Sequence, residues 1–423
     1  MSDGLIQGEK PDGPRRLRIL WLIKDLDPGG AEKLLLSLAK VRDSNAFDYE
    51  LAYLIPSCKT LLPDFEAEGI SVHCLSNGRD LDLRWAWRLR RMLKCRRFDI
   101  VHPQMRYPAI IARLVVRSLP RRHRPRLVVT EHLEWDQDRV VTRLLNRLTF
   151  RFDDADLGVA ERVRKSLPAR LQSRMETVVH GLDLAAVEAA AAERHQARQE
   201  LGVADNEFLV GTVANLRAQK GYEFLLPAAK QMVEEGLPVR FAAVGGGLRA
   251  VAVANLHHQL DLGDRFLLLG TRLDAVRIAS GFDIFVLASL YEGLPVALME
   301  ALALGLPVVV TSVGGMPEIV ENGVEGLIVP PGDSDAIAEA LRSLIRDPDR
   351  LSTMAAAARR RGRKLDITIA ARRIEDVYRK VNSRQWSRKS EPSRANQGVS
   401  SSPSALLTSG DVNCEANGSG GIS

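Results

Sequence analysis

Short apolar runs alternate with amphipathic stretches along most of the chain, and the alternation falls into two series. Runs at 17–23, 49–55, 71–75, 100–103, 127–132 and 156–159 are continuous enough for strands buried on both faces. Helical periods lie between them, at 33–42, 83–96, 107–117 and 138–150. An Ala- and charge-rich helical stretch, 185–200, leads into the second series. Its strands fall at 208–215, 239–244, 266–270, 284–290 and 307–313, and helices at 333–345, 351–361 and 368–381 close the chain. Such alternation predicts parallel sheets covered by helices. The fold class is therefore α/β, as two doubly wound, Rossmann-like domains, and 423 residues suffice for two cores. The expected boundaries are a loose N-terminus at 1–16, a first domain at 17–184, a second at 185–365 and a last helix at 366–384. The tail, 385–423, is rich in Ser, Gly, Asn and Pro, a composition that favours disorder.

Charge adds a local feature. The net charge is only +6, yet fourteen Lys or Arg and one acid, Asp99, lie between Arg84 and Arg126. This region either attracts an anionic partner (lipid headgroups, a lipid diphosphate, nucleic acid) or is a solvated helix face. Trp85 and Trp87 sit among Arg84, Arg88, Arg90 and Arg91. That segment fits a bilayer-surface helix, or an ordinary amphipathic helix with its Trp residues turned inward.

Cys58, Cys74, Cys95 and Cys414 have neither a close pair nor metal-type spacing, so reduced thiols in a cytoplasmic setting are expected. Asp3, Glu9, Lys10 and Asp12 interrupt any apolar start, against a secretory leader. The longest apolar run, 301–313, is too short to span a bilayer and contains Gly305 and Pro307. The expected location is cytoplasmic, with contact at the inner membrane face as the further option.

The candidate chemistry centres on 288–332, ASLYEGLPVALMEALALGLPVVVTSVGGMPEIVENGVEGLIVPPG. A strand ends at Tyr291-Glu292-Gly293, a helix starts at Leu294-Pro295, and Gly305 and Pro307 stop it. A helix start offers unpaired N–H groups and partial positive charge, which suit phosphate. From Leu294 to Glu300 is about 9 Å of helix at ~1.5 Å per residue. A nucleoside diphosphate at that start would have a carboxylate near each end, and carboxylates accept from paired hydroxyls. Spacing alone leaves an equal alternative, since acidic residues favour helix starts anyway.

Other segments add to it. Gly29-Gly30 follows the first strand, where the backbone can approach a phosphate, although the full dinucleotide fingerprint is absent. His132 ends a strand at the edge where α/β folds bind ligands, as a ligand contact or a structural histidine. Arg217 and Lys220 lie between a strand and a helix, where such cations clamp a diphosphate or stay solvated. Gly245 opens a Gly triplet that either passes a nucleoside or simply turns the chain. Asp-x-Asp occurs at Asp25, Asp80 and Asp333; none is read as a metal site.

Glu-Gly-Leu-Pro, Glu-Ala-Leu-Ala-x-Gly-x-Pro-Val-Val and Gly-Gly-x-Pro-Glu-Ile-Val together resemble the donor-site signature of family 4 retaining glycosyltransferases. The first strand with Gly-Gly-Ala-Glu resembles that family's N-terminal motif, and the likeness covers roughly 17–381. It implies the GT-B arrangement of two domains across a cleft, with the last helix crossing back to the first domain. It implies that Glu292 and Glu300 bracket a nucleotide-sugar donor, with Gly293 and Leu294 at the diphosphate. Gly29 and Gly30 would face the donor and acceptor, His132 the donor sugar, and Lys220 the phosphates. Two positions depart from the pattern: Asn215 stands where the family has Arg, with Arg217 two places later, and His180 replaces an Asn.

The implied activity is hexosyl transfer to a glycan or lipid-linked glycan, in cell-surface polysaccharide or glycolipid synthesis. It would proceed with retention, without metal or cofactor, by front-face attack in which the leaving phosphate takes the acceptor proton. A sugar-nucleotide epimerase or phosphorylase of the same fold is the enzymatic alternative. A nucleic-acid-binding protein is the other, for which no motif is present.

Overall fold

The computed structural model describes residues 15–76, 84–137 and 140–383. The expected tail at 385–423, most of the N-terminal segment 1–16, Asp80 and the first residues of the 83–96 and 138–150 stretches lie outside the described residues.

The first sheet contains β1 (Leu17–Ile23), β2 (Phe47–Tyr53), β3 (Ser71–Cys74), β4 (Ile100–Pro103), β5 (Arg126–Glu131), β6 (Ala155–Gly158) and β7 (Met175–Thr177). The second contains β8 (Phe208–Val213), β9 (Val239–Val244), β10 (Phe266–Leu268), β11 (Ile284–Leu287), β12 (Val308–Thr311) and β13 (Gly326–Val329). Strand orders are β3-β2-β1-β4-β5-β6-β7 and β10-β9-β8-β11-β12-β13, and every pairing between these strands is parallel. Each sheet thus reverses its winding once, between β1 and β4 and between β8 and β11. A doubly wound sheet opens a crevice at that switch, beyond the carboxyl ends of the strands. Gly29-Gly30 follows β1, Lys220 follows β8 and Glu292 follows β11, so topology alone brings these segments to the two crevice mouths.

The helix Ile367–Asn382, capped by Asp366, packs on the first sheet and not the second. Trp21 Nε1 donates to Tyr378 Oη at 3.2 Å, and Glu375 accepts from the Asp43 N–H at 2.9 Å. The two chain crossings between the sheets also bond to each other: the Leu182 N–H donates to Leu365 O, and the Ile367 N–H to Leu182 O.

Several boundaries differ from the pattern-based expectation. The first helix begins at Gly30, three residues early, because Gly29 is extended and takes the cap position. The 185–200 stretch is two helices, Leu184–Ala191 and Arg194–Glu200. The helix expected from Leu294 starts at Val296, since Pro295 is extended with ψ 123°. Glu300 is therefore its fifth residue, about 6 Å along the axis and not 9. In the Arg84–Arg96 helix, Trp85 is buried while Trp87 is exposed.

Candidate active site

The carboxyl end of β11 places Glu292 in the cleft with only 6 % of its surface exposed. Ser289 Oγ donates to Glu292 Oε1 at 2.7 Å, and Thr311 Oγ1 donates to Ser289 O at 2.6 Å, which fixes this turn against β12. Lys220 forms an ion pair with Glu292 Oε1. Gln219 donates to Tyr291 O at 2.9 Å and reaches Glu292 Oε2 at 3.3 Å. The Lys220 loop and the Glu292 turn, separate in sequence, are thus one polar unit.

Gly293 shows why this turn excludes side chains. A Cβ there would lie 1.7 Å from the carbonyl oxygen of His132, across the cleft. Leu294 is buried and Pro295 leads into the helix Val296–Leu304, whose first residue, Val296, lies against Gly30 of the first domain. Glu300 is buried on this helix, and Lys33 of the first domain lies 3.8 Å from its Oε1.

That wall is the start of the helix Gly30–Val41 with the ends of β4 and β5. A Cβ on Gly30 would sit 3.4 Å from Val296, and one on Gly29 would collide with the Glu32 carboxylate. Burial pushes the Glu32 carboxyl up to about 7; nearby Asp25 adds to this, while Arg217 and Lys24 oppose it. Arg217 itself is exposed. His132 Nε2 pairs with Gln104 Oε1 at 2.9 Å, and its ring lies 5.3 Å from that of His180. Burial and the charge of Arg106 lower the His132 pKa to about 4, so the imidazole is neutral at pH 7.

Gly245 has φ +153°, and a Cβ on it would meet Ala214 O at 2.1 Å. Its close approach is to the loop after β8. Asp333 accepts from the Ala336 N–H and caps a helix; Asp27 accepts from Thr60 Oγ1. Among the described residues no cluster of three or more His, Cys, Asp or Glu is placed to hold a metal ion.

Glu292, Lys220, Gly293, Leu294, His132, Gly29, Gly30 and Glu300 line the facing walls of one cleft, with Arg217 at its edge and Gly245 behind the β8 loop. Sequence reasoning left out Lys33, Ser289 and Gln219. Ser289 had a signal, lying three residues before Glu292; Lys33 and Gln219 had none beyond adjacency to Gly-Gly-Ala-Glu and Lys-Gly.

The cleft and the paired sheets agree with what the chain is similar to. Residues 193–361 match the model for glycosyl transferases group 1, and residues 28–186 match that for glycosyltransferase family 4. The chain belongs to this glycosyltransferase family and has its GT-B fold. A curated relative from Escherichia coli, a UDP-Gal:alpha-D-GlcNAc-diphosphoundecaprenol alpha-1,3-galactosyltransferase, is 27 % identical over 62 % of this chain and 70 % of its own. The putative glycosyltransferase EpsF of Bacillus subtilis is 26 % identical over 78 % and 87 %. Among solved structures, Anabaena HepE in complex with UDP-glucose superposes with TM-score 0.74 at 23 % identity, covering 85 % of this chain and 99 % of that one. No helix among the described residues is long and apolar enough to cross a membrane.

Proposed function

We propose that this glycosyltransferase moves a hexosyl unit from a nucleoside-diphosphate sugar to a glycan or lipid-linked glycan, with retention and without a metal or other cofactor. The reading rests above all on the Glu292–Lys220 unit at the start of the Val296–Leu304 helix, opposite Gly30 and His132. The diphosphate would lie at that helix start, where N–H groups and Lys220 meet the negative charge that grows as the sugar–phosphate bond breaks. Arg217 at the cleft edge is the second cation for the phosphates. Glu300 accepts from the nucleoside end, and Glu292 with His132 holds the sugar. The C1–phosphate bond breaks while the acceptor oxygen bonds C1 on the same face; the acceptor proton goes to the departing phosphate oxygen. Lys220 would then leave Glu292 for phosphate, which frees the carboxylate to accept from sugar hydroxyls.

The substrates of the E. coli relative make UDP-galactose the first donor to try and a polyprenyl-diphosphate sugar the first acceptor; the setting we propose is synthesis of a cell-surface polysaccharide or glycolipid. Glu292→Ala is expected to lower kcat by at least ~10²-fold, the scale for a lost transition-state contact, while nucleotide binding by calorimetry stays within severalfold. Glu300→Ala should weaken nucleotide binding instead. Wild-type turnover in Glu292→Ala, with any accepted donor, would refute the assignment.

A further inference from the structure

The helix Val140–Thr149 in the first domain is folded inside out. Its apolar residues Val141, Leu144, Leu145 and Leu148 follow helical spacing along one stripe, yet all are 44–69 % exposed, as is Val140. Its inward residues are polar. Asn146 Nδ2 donates to buried Glu131 at 3.1 Å, and Asn146 Oδ1 accepts from Arg113. Arg113, fully buried, also reaches Thr149 at 3.1 Å and forks onto Asp153 at 2.8 and 2.5 Å. A buried polar network of this kind fixes the helix rotation, so the apolar stripe cannot turn inward without leaving charges unpaired.

Cations border the stripe. Arg143 and Arg147 are exposed on the same helix, which carries no acid, and Arg151 follows. The adjoining helix Arg106–Arg117 shows exposed Leu114 and Arg117, and beyond it the Arg84–Arg96 helix shows Trp87 with Arg91 against its ring. An exposed apolar stripe rimmed by arginine matches a bilayer whose headgroups are anionic: acyl chains take the leucines, phosphates take the guanidiniums. A second copy docked two-fold on this face would set arginines against arginines.

We propose that the Val140–Thr149 face docks the protein on an anionic lipid surface. The helix follows β5, and its Asn146 bonds Glu131, the residue before His132, so docking would hold the cleft mouth near headgroup level. Only this last consequence rests on the lipid-linked acceptor reading; docking itself does not.

The test is flotation of the full chain with phosphatidylglycerol–phosphatidylcholine vesicles and with phosphatidylcholine alone. Wild type should bind the anionic vesicles, less so at high salt. Leu144→Glu/Leu148→Glu should partition about tenfold less or weaker, and Arg143→Glu/Arg147→Glu should lose the preference for anionic lipid. Both variants should turn over the donor with a water-soluble acceptor as wild type does. Equal flotation of wild type and Leu144→Glu/Leu148→Glu overturns docking, as does a wild-type dimer that this variant dissolves. Docking without any sugar transfer would count against the cleft reading alone.

Discussion

His102 and His180 are buried near His132, and each of the three is held away from its charged form. His102 bonds Tyr378 Oη at 2.5 Å and Thr130 Oγ1 at 2.7 Å, and burial lowers its pKa to about 3. His180 is buried with neither ring nitrogen hydrogen-bonded among the described residues, and burial with its imidazole neighbours puts its pKa well below the usual value. Unfolded, each histidine takes a proton as pH falls through ~6.5. Folded, His132 does not until about 4. Between those values the unfolded chain binds more protons, so stability drops on acidification, on the order of 1.4 kcal/mol per pH unit per histidine. Glu32 acts in the opposite sense: its raised pKa costs stability as pH climbs from 4.5 to about 7. Glu134, Asp153, Asp156 and Glu375, whose carboxyls burial also pushes up, act as Glu32 does, so the histidine share is read by substitution. His180→Asn should flatten the acid limb by about one histidine's share of that slope, read from urea midpoints across the range. Superimposable limbs for the two proteins would remove His180 from the account. The His180 position stood out in the sequence only as a departure from a motif; its tilted ring contact with His132 joins a segment leaving the first domain to the end of β5, and no local pattern encodes that.

Among the elements, the turn Ser289–Pro295 with the helix Val296–Leu304 carries the tightest constraint. Its Gly293 lies under His132 O, and Gly315 N–H donates to Gly293 O at 2.5 Å, so backbone from three segments meets there. Gly293→Ala cannot be relieved by a rotamer change, because the obstacle is a carbonyl. We expect a stability loss of about 1–3 kcal/mol, the range for overpacking, and a fall in kcat/KM near 10²-fold if the helix start moves by ~1 Å. Urea denaturation and steady-state kinetics measure both; a variant with wild-type kinetics would mean the cleft tolerates a wider gap.

This element was largely legible, because a buried strand, Glu-Gly-Leu-Pro and a Gly–Pro stop are all local signals. β7, Met-Glu-Thr, was not, since three mixed residues carry no period; β13 was missed too, its four residues following a Gly-containing turn. The break at 192–193 lacks Gly or Pro to mark it. The inverted Val140–Thr149 helix reads as an ordinary amphipathic helix, because periodicity says which residues share a face and not which way that face points.

At the scale of the whole molecule, the two domains meet through unlike regions. At the hinge, backbone pairs at Leu182 and Leu365–Ile367, and Gly181 leaves no room, a Cβ there falling 2.4 Å from Ile367. Across the cleft mouth two polar contacts tie the walls: Lys33 to Glu300, and Glu318 to the helix Glu161–Lys165. Glu318 belongs to the second domain, yet its carboxylate accepts from the Glu161 and Arg162 N–H groups at 2.7 and 2.6 Å. It caps a first-domain helix from the opposite wall. Domain closure is therefore coupled to a helix cap, and opening must uncap it. Replacing a cap by Ala costs ~1 kcal/mol. That would shift a closed–open equilibrium about fivefold. Glu318→Ala should raise the radius of gyration in solution scattering and raise donor KM severalfold, with kcat at saturation and the melting temperature of each domain little changed. Scattering and KM both equal to wild type would show that Glu318 does not hold the cleft shut, and would leave Lys33 and Glu300 as the pair to test next.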